Sequence, residues 1–145
     1  MCISNVVGAV QSYEQGKYLN KVAKVNAGIS ERAGRDAVKR GNIDADEQRQ
    51  QTGQVLGAQR AAFAANGVDV NSGSAGQVQN DTAAIGELDA LTLVNNAARE
   101  AYGYQVQAMD QRQQGKLAKY QGKMDAIGSI LGGAEKAASM GMGGR

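Results

Sequence analysis

The 145 residues hold 16 Lys/Arg and 14 Asp/Glu, a net charge of only +2, with no His, no Pro, no Trp, one Phe and one Cys. Without His there are no His-based triads, Cys–His pairs or usual metal sites, and a single Cys2 permits no intrachain disulfide, as suits a chain made in a reducing cytoplasm. The 42% hydrophobic fraction leans on Ala, and large aliphatics are thinly spread, so a lone monomer buries little to offset its chain entropy.

Charge is unevenly distributed. Residues 1–66 carry nine Lys/Arg against six Asp/Glu, residues 67–110 one against six, and residues 111–145 six against two. Both outer segments are therefore basic and the middle is acidic, so an antiparallel fold about the middle gives one basic end. Met1–Val10 lacks the basic region and apolar run of a signal peptide, and no stretch reaches the ~18–20 apolar residues of a solitary membrane span.

The first arm, residues 1–66, reads as helix. Val10, Tyr13, Tyr18, Val22, Val25, Ile29 and Ala33 form an apolar seam, and Glu31/Arg35 and Asp36/Arg40 have i,i+4 spacing. Lys39–Gln54 is almost wholly polar. Gly41-Asn42 with Asp44-x-x-Glu47 marks a candidate break or kink near 41–44, and the acidic residues there read as caps and salt partners rather than a calcium loop. Apolar residues return at Val55, Leu56, Ala62 and Phe63.

Residues 67–74 read as a turn rich in Gly, Asn, Asp and Ser. Asn66-Gly67 stops the first helix with Gly67 in the left-handed position after the cap. Ser74 is the expected N-cap of the next helix, with Gln77 completing a capping box.

The second arm, residues 75–131, carries a seam of Ile85, Leu88, Leu91, Asn95, Ala98, Tyr102, Val106 and Met109, continued by Gln113, Leu117, Tyr120, Met124, Ile127 and Leu131. Steps of three and four place these on one helix face, and Asn95 and Gln113 are polar interruptions of the kind that fix register. Gly128-x-x-x-Gly132 is a candidate for close helix packing. The tail, residues 132–145, is rich in Gly, Ala and Met and is a weak helix former.

The expected fold is all-α: a long antiparallel helical hairpin with arms of roughly 80 Å each, assembling into a homo-oligomeric ring or tube. The assembly seams are Tyr18, Val22, Val25 and Ile29 on the first arm, and Ile85, Leu88, Leu91, Ala98, Tyr102, Val106 and Met109 on the second. Folding about residue 70 brings position i level with 140 − i. Lys17, Lys21 and Lys24 then lie level with Lys123, Lys119 and Lys116, and Tyr13, Tyr18 and Tyr120 fall in the same band. A basic-aromatic belt beside an apolar end is the pattern of a chain seated at a membrane surface; a solvated basic face is the plainer alternative. No phosphate-binding loop or dinucleotide fingerprint occurs, and no cofactor or catalytic residue is expected.

The stretch AAFAANGVDVNSGSA at 61–75 and the stretch GELDALTLVNNAAREAYGYQVQA at 86–108 resemble small internal virion proteins of short-tailed bacteriophages, over about residues 55–110. The resemblance implies a chain held inside the capsid near the portal, with other core, portal or tail proteins as partners. It further implies ejection ahead of the genome into the host envelope, where one small member of the family forms a channel at the outer membrane. Translocating DNA would pass without sequence-specific binding, and a mixed-charge surface would suit such a conduit. The N-terminal apolar segment is short for a membrane span. A head–tail adaptor or scaffold that stays in the particle, and a nucleic-acid-binding module using the basic end, are the competing functions.

Overall fold

The structure is a computed structural model that describes the backbone of residues 2–141 and the side chains of residues 7–132. Two long helices pack against each other: α1, Cys2–Ala65, and α2, Gly73–Gly141. No Pro interrupts either helix, and Ala and Gln favour both. Of the two readings of 41–44, the break does not occur, since α1 runs through Gly41, Asn42 and Asp44. Gly41 serves instead as a packing point: a Cβ there would lie 2.2 Å from that of Ala97. The second helix also outruns its expected end at 131 and continues to Gly141; residues 142–145 of the expected tail lie outside the described residues.

The chain divides into two compact units, residues 32–104 and residues 1–31 with 105–145. The 32–104 unit contains the turn. Val68 N–H donates to Phe63 O and Gly67 N–H donates to Ala64 O, each at 3.0 Å, while Gly67 takes φ 69°. That is a Schellman close, with Gly67 in the predicted left-handed position. The start of α2 differs from expectation. Gly73 has φ 60° and Gly76 N–H reaches back to Ser72 O, so the helix begins at Gly73 and Ser74 already lies in its first turn. Asp69, rather than a Ser74–Gln77 capping box, supplies the side-chain bonds. Its carboxylate accepts from Asn71 N–H at 3.0 Å and from the Ser72 hydroxyl at 2.8 Å. An Asx turn of this kind competes locally with a Ser cap. Those two bonds, the backbone one foremost, hold the Asp69 carboxyl below its ordinary range.

Within each unit the helices meet through small side chains. The buried apolar residues of unit 32–104 are Ala37, Ala45, Ala75, Ala90, Ala97 and Ala101, and those of the other are Ala9, Ala27 and Ala108. Glycines bring the backbones together where even alanine would not fit. A Cβ on Gly122 would lie 2.6 Å from Ser12 O, and one on Gly16 would lie 2.7 Å from Ala118 O. Gly86 sits under Thr52, 2.2 Å from its hydroxyl oxygen by the same construction. Glycine inside a helix costs roughly 1 kcal/mol relative to alanine, so these sites are offset by the closer backbone approach they allow.

Facing residues define the register. Gly16 with Gly122, Gly41 with Ala97, and Thr52 with Gly86 each add to 138. The expected pairing of i with 140 − i is thus met to within two residues in both units.

Candidate functional site

The inner faces of both helices are small, and the large apolar side chains lie elsewhere. Inner positions of α1 in the 1–31/105–145 unit are Ala9, Gly16, Asn20, Ala27 and Ser30; those of α2 are Ala108, Gly115 and Gly122. At about 100° per residue, Tyr18, Val22, Val25 and Ile29 fall on the side of α1 directly opposite this face. All four are exposed, Tyr18 at 66% and Val25 at 63%. Met109, Leu117, Tyr120 and Met124 lie in the same way on the back of α2 and are likewise exposed.

The 32–104 unit is one-sided. The back of α2 is apolar there, with Ile85, Leu88, Leu91 and Tyr102 exposed; Ala98 is exposed too, whereas Val106, which belongs to the other unit, is half-buried. The back of α1 carries Arg32, Asp36 and Glu47, with Ile43 the one large apolar residue among them. Apart from half-buried Val106, the predicted assembly seams are therefore left exposed by the chain's own packing.

The polar stretch of α1 finds its partners across the hairpin. Arg49 forks onto Glu87, with Nε donating to Oε2 at 2.9 Å and Nη2 donating to Oε1 at 2.8 Å, and its Nη1 also donates to Asp46 at 3.1 Å. This raises the Arg49 pKa and lowers that of Glu87, the bond between the two being the main cause in each case. Arg40 bonds Glu100 at 3.3 Å, and Glu31 pairs with Arg112. In place of the expected Glu31/Arg35 and Asp36/Arg40 pairs within α1, Glu31 and Arg40 thus bridge to α2. The cross-helix partners lie on the flanks of the inner faces, where a bidentate fork or a direct pair is in reach.

Gln79 was not legible as a structural residue. Nine-tenths buried, it donates to Val70 O at 2.8 Å and to Ala75 O at 3.1 Å, and its own oxygen accepts from Arg60 Nε at 2.7 Å. It ties the turn, α1 and α2 together. A polar residue at an inner position of a helical repeat was the available signal.

The cationic side chains of the 1–31/105–145 unit are segregated to one flank. Counted from the inner face of α1, Lys17, Lys21, Lys24 and Glu31 all fall to one side; counted from that of α2, Arg112, Lys116, Lys119 and Lys123 do the same. The Glu31–Arg112 ion pair joins those two sides into a single flank. All seven cationic side chains described in this unit lie there. Tyr13 is on that flank too, with the Lys17 ammonium 5.9 Å from its ring centre and 3.4 Å from Glu14. Tyr18 and Tyr120 are instead on the two backs, level with each other. The expected lysine belt is therefore one-sided.

The opposite flank is a shallow groove of about 280 Å³, bordered by Leu19, Val22, Asn26 and Gln114. A second depression beside it is bordered by Gln15, Gln121 and Asp125. Leu19, Val22 and Ala23 make the first largely apolar, with Asn26, Gln111 and Gln114 its amides. No cluster of three metal-ligating side chains occurs among the described residues.

Gly128 and Gly132 face open space within the chain, because the inner positions at that level are Ala126 and Ser129. Close packing between the helices falls to Gly16, Gly115 and Gly122 instead. Among the described residues no helix is long and apolar enough to cross a membrane. Comparison with known proteins finds no match to any family, curated protein or solved structure.

Proposed function

We propose that this chain is a non-catalytic structural subunit that assembles with copies of itself. The observation that carries this reading is the placement of many of its large apolar side chains, which lie exposed on the backs of the helices while alanine and glycine fill the inside. Exposed apolar stripes of this extent mark surfaces that are covered in the working state. Together with the resemblance at 61–75 and 86–108, this supports an internal virion protein of a short-tailed phage. Carried in the particle beside core, portal or tail proteins, it is ejected into the host envelope and contributes to an oligomeric helical conduit through which DNA passes without being read. Membrane lipid is a partner at the lysine flank.

Sedimentation of the intact chain at micromolar concentration tests self-assembly; a well-folded monomer would defeat the proposal. Mass spectrometry of particles before and after genome release tests ejection, which requires loss of the chain from emptied particles. A second reading has one observation in its favour. Since no described helix is apolar enough to span a bilayer, a coiled-coil adaptor or scaffold that remains in the particle accounts for the same exposed stripes, and retention after release would select it.

A further inference from the structure

In the 1–31/105–145 unit both backs are apolar, and they are apolar at the same levels. By the pairing that Gly16 and Gly122 define, Tyr18 is level with Tyr120, and Ile29 with Met109. Val22 is level with Leu117 to within one residue. A copy standing alongside, in the same orientation, would therefore bring the back of its α1 against the back of α2 with large side chain meeting large side chain. The helices in that contact run antiparallel, as they do inside the hairpin.

We infer that the partner of these two stripes is a second copy of the chain, joined head to tail: the Tyr18–Ile29 stripe of one copy seats on the Met109–Tyr120 stripe of the next. This rests on the self-assembly proposed above and specifies its contact. A twofold dimer joining like stripes leaves the other stripe of each copy bare. A heterologous contact covers both with a single kind of interface and continues into a ring or filament. The surface available is sufficient. The chain exposes 10449 Å², where a folded monomer of 15.1 kDa exposes roughly 7,000 Å². The surplus exceeds the roughly 1,600 Å² that two standard contacts take from one partner. The arrangement also keeps every lysine flank on one side of the assembly and every groove on the other.

Disulfide trapping in full-length chains carrying Cys2→Ser tests the contact. Val22→Cys and Leu117→Cys are made in separate chains, and then Ile29→Cys and Met109→Cys as an independent pair. On mild oxidation each pair is expected to give crosslinked dimer only when its two chains are mixed. A chain carrying both substitutions of a pair is expected to give a ladder. Dimer from Val22→Cys or Leu117→Cys alone would mean like stripes meet, and overturns the inference. Oligomers on sedimentation without either mixed crosslink also overturn it but leave self-assembly standing. A monomeric intact chain removes both.

Discussion

Gly16 and Gly122 face each other so closely that a Cβ on Gly16 would lie 3.1 Å from the Gly122 Cα, and one on Gly122 would lie 3.0 Å from the Gly16 Cα. Gly122→Ala would also drive its Cβ to within 2.6 Å of Ser12 O, a backbone atom that moves only if the helices part. Overpacking of this kind costs roughly 1–3 kcal/mol, which outweighs the roughly 1 kcal/mol that alanine returns in helix propensity. Gly103→Ala, in the same helix but with open space around it, receives only the propensity gain. Urea midpoints should fall for the first and rise for the second; a rise for both would show that the close approach is not real.

The turn makes a separate prediction. Gly67→Val places a β-branched residue at φ 69° and should destabilise the chain by roughly 1 kcal/mol or more. Ser74→Ala should be close to neutral, since Asp69 makes the turn's side-chain bonds. Equal losses from both substitutions would restore the capping box.

Acid should loosen the hairpin through Asp69 and Glu87. Both carboxyls are held below their ordinary values in the folded chain. Each contributes stability in full above its unfolded pKa and loses it as pH falls through the folded one. The melting temperature of the wild type should therefore drop as pH falls below the usual carboxylate range. In Asp69→Asn with Glu87→Gln the drop should be smaller. An identical pH dependence in the two proteins would assign the acid sensitivity elsewhere.

Leu88 and Leu91 test the exposed stripe of the 32–104 unit. Changing both to Asp costs little in the isolated chain, where both side chains are exposed. In an assembly it buries unpaired charge, and association should weaken by about a hundredfold or more, from a penalty of several kcal/mol. Unchanged sedimentation with unchanged helicity would free this stripe from any interface.

The lysine flank makes the membrane arm of the proposal testable. The intact chain should float with anionic vesicles and release a trapped dye, and deleting residues 127–145 should abolish the leakage. Replacing Lys17, Lys21, Lys24, Lys116, Lys119 and Lys123 with Gln should weaken binding. Failure to float or leak would favour the scaffold. Tight duplex DNA binding, falling steeply with salt, would instead assign the flank to phosphate contacts.

Much of this fold was legible because its signals are local. Asn66-Gly67 ends a helix by backbone geometry alone, and the absence of Pro lets two long helices form. The level of Lys17 with Lys123, met to within two residues, followed from equal arms about one turn. What was not legible was which face of each helix turns inward. The eye follows Tyr18, Val22, Val25 and Ile29, whereas Ala9, Gly16, Ala27 and Gly34, at steps of seven and eleven, share the face half a turn away. Small residues carry weak hydrophobicity but permit close backbone contact, and only coordinates show that this face is the inner one. Charge sidedness was hidden for a related reason: Lys17–Lys24 and Lys116–Lys123 share a flank only once Glu31 and Arg112 fix how the helices face.

An interior of alanine has a calorimetric consequence. The heat-capacity change of unfolding tracks the apolar surface that is newly exposed, and ordinary domains give about 12–15 cal/mol/K per residue. In this chain the buried apolar side chains described are all alanines, and most of the larger ones are already exposed, with Leu56, Phe63, Leu93, Val94 and Val106 among those half-buried. The isolated hairpin should therefore unfold with a heat-capacity increment well below that range. Its stability curve would be low and broad, changing little between cold and warm conditions. Covering the backs would restore an ordinary curvature, so a single thermogram reports whether the outer surfaces are wet or dry.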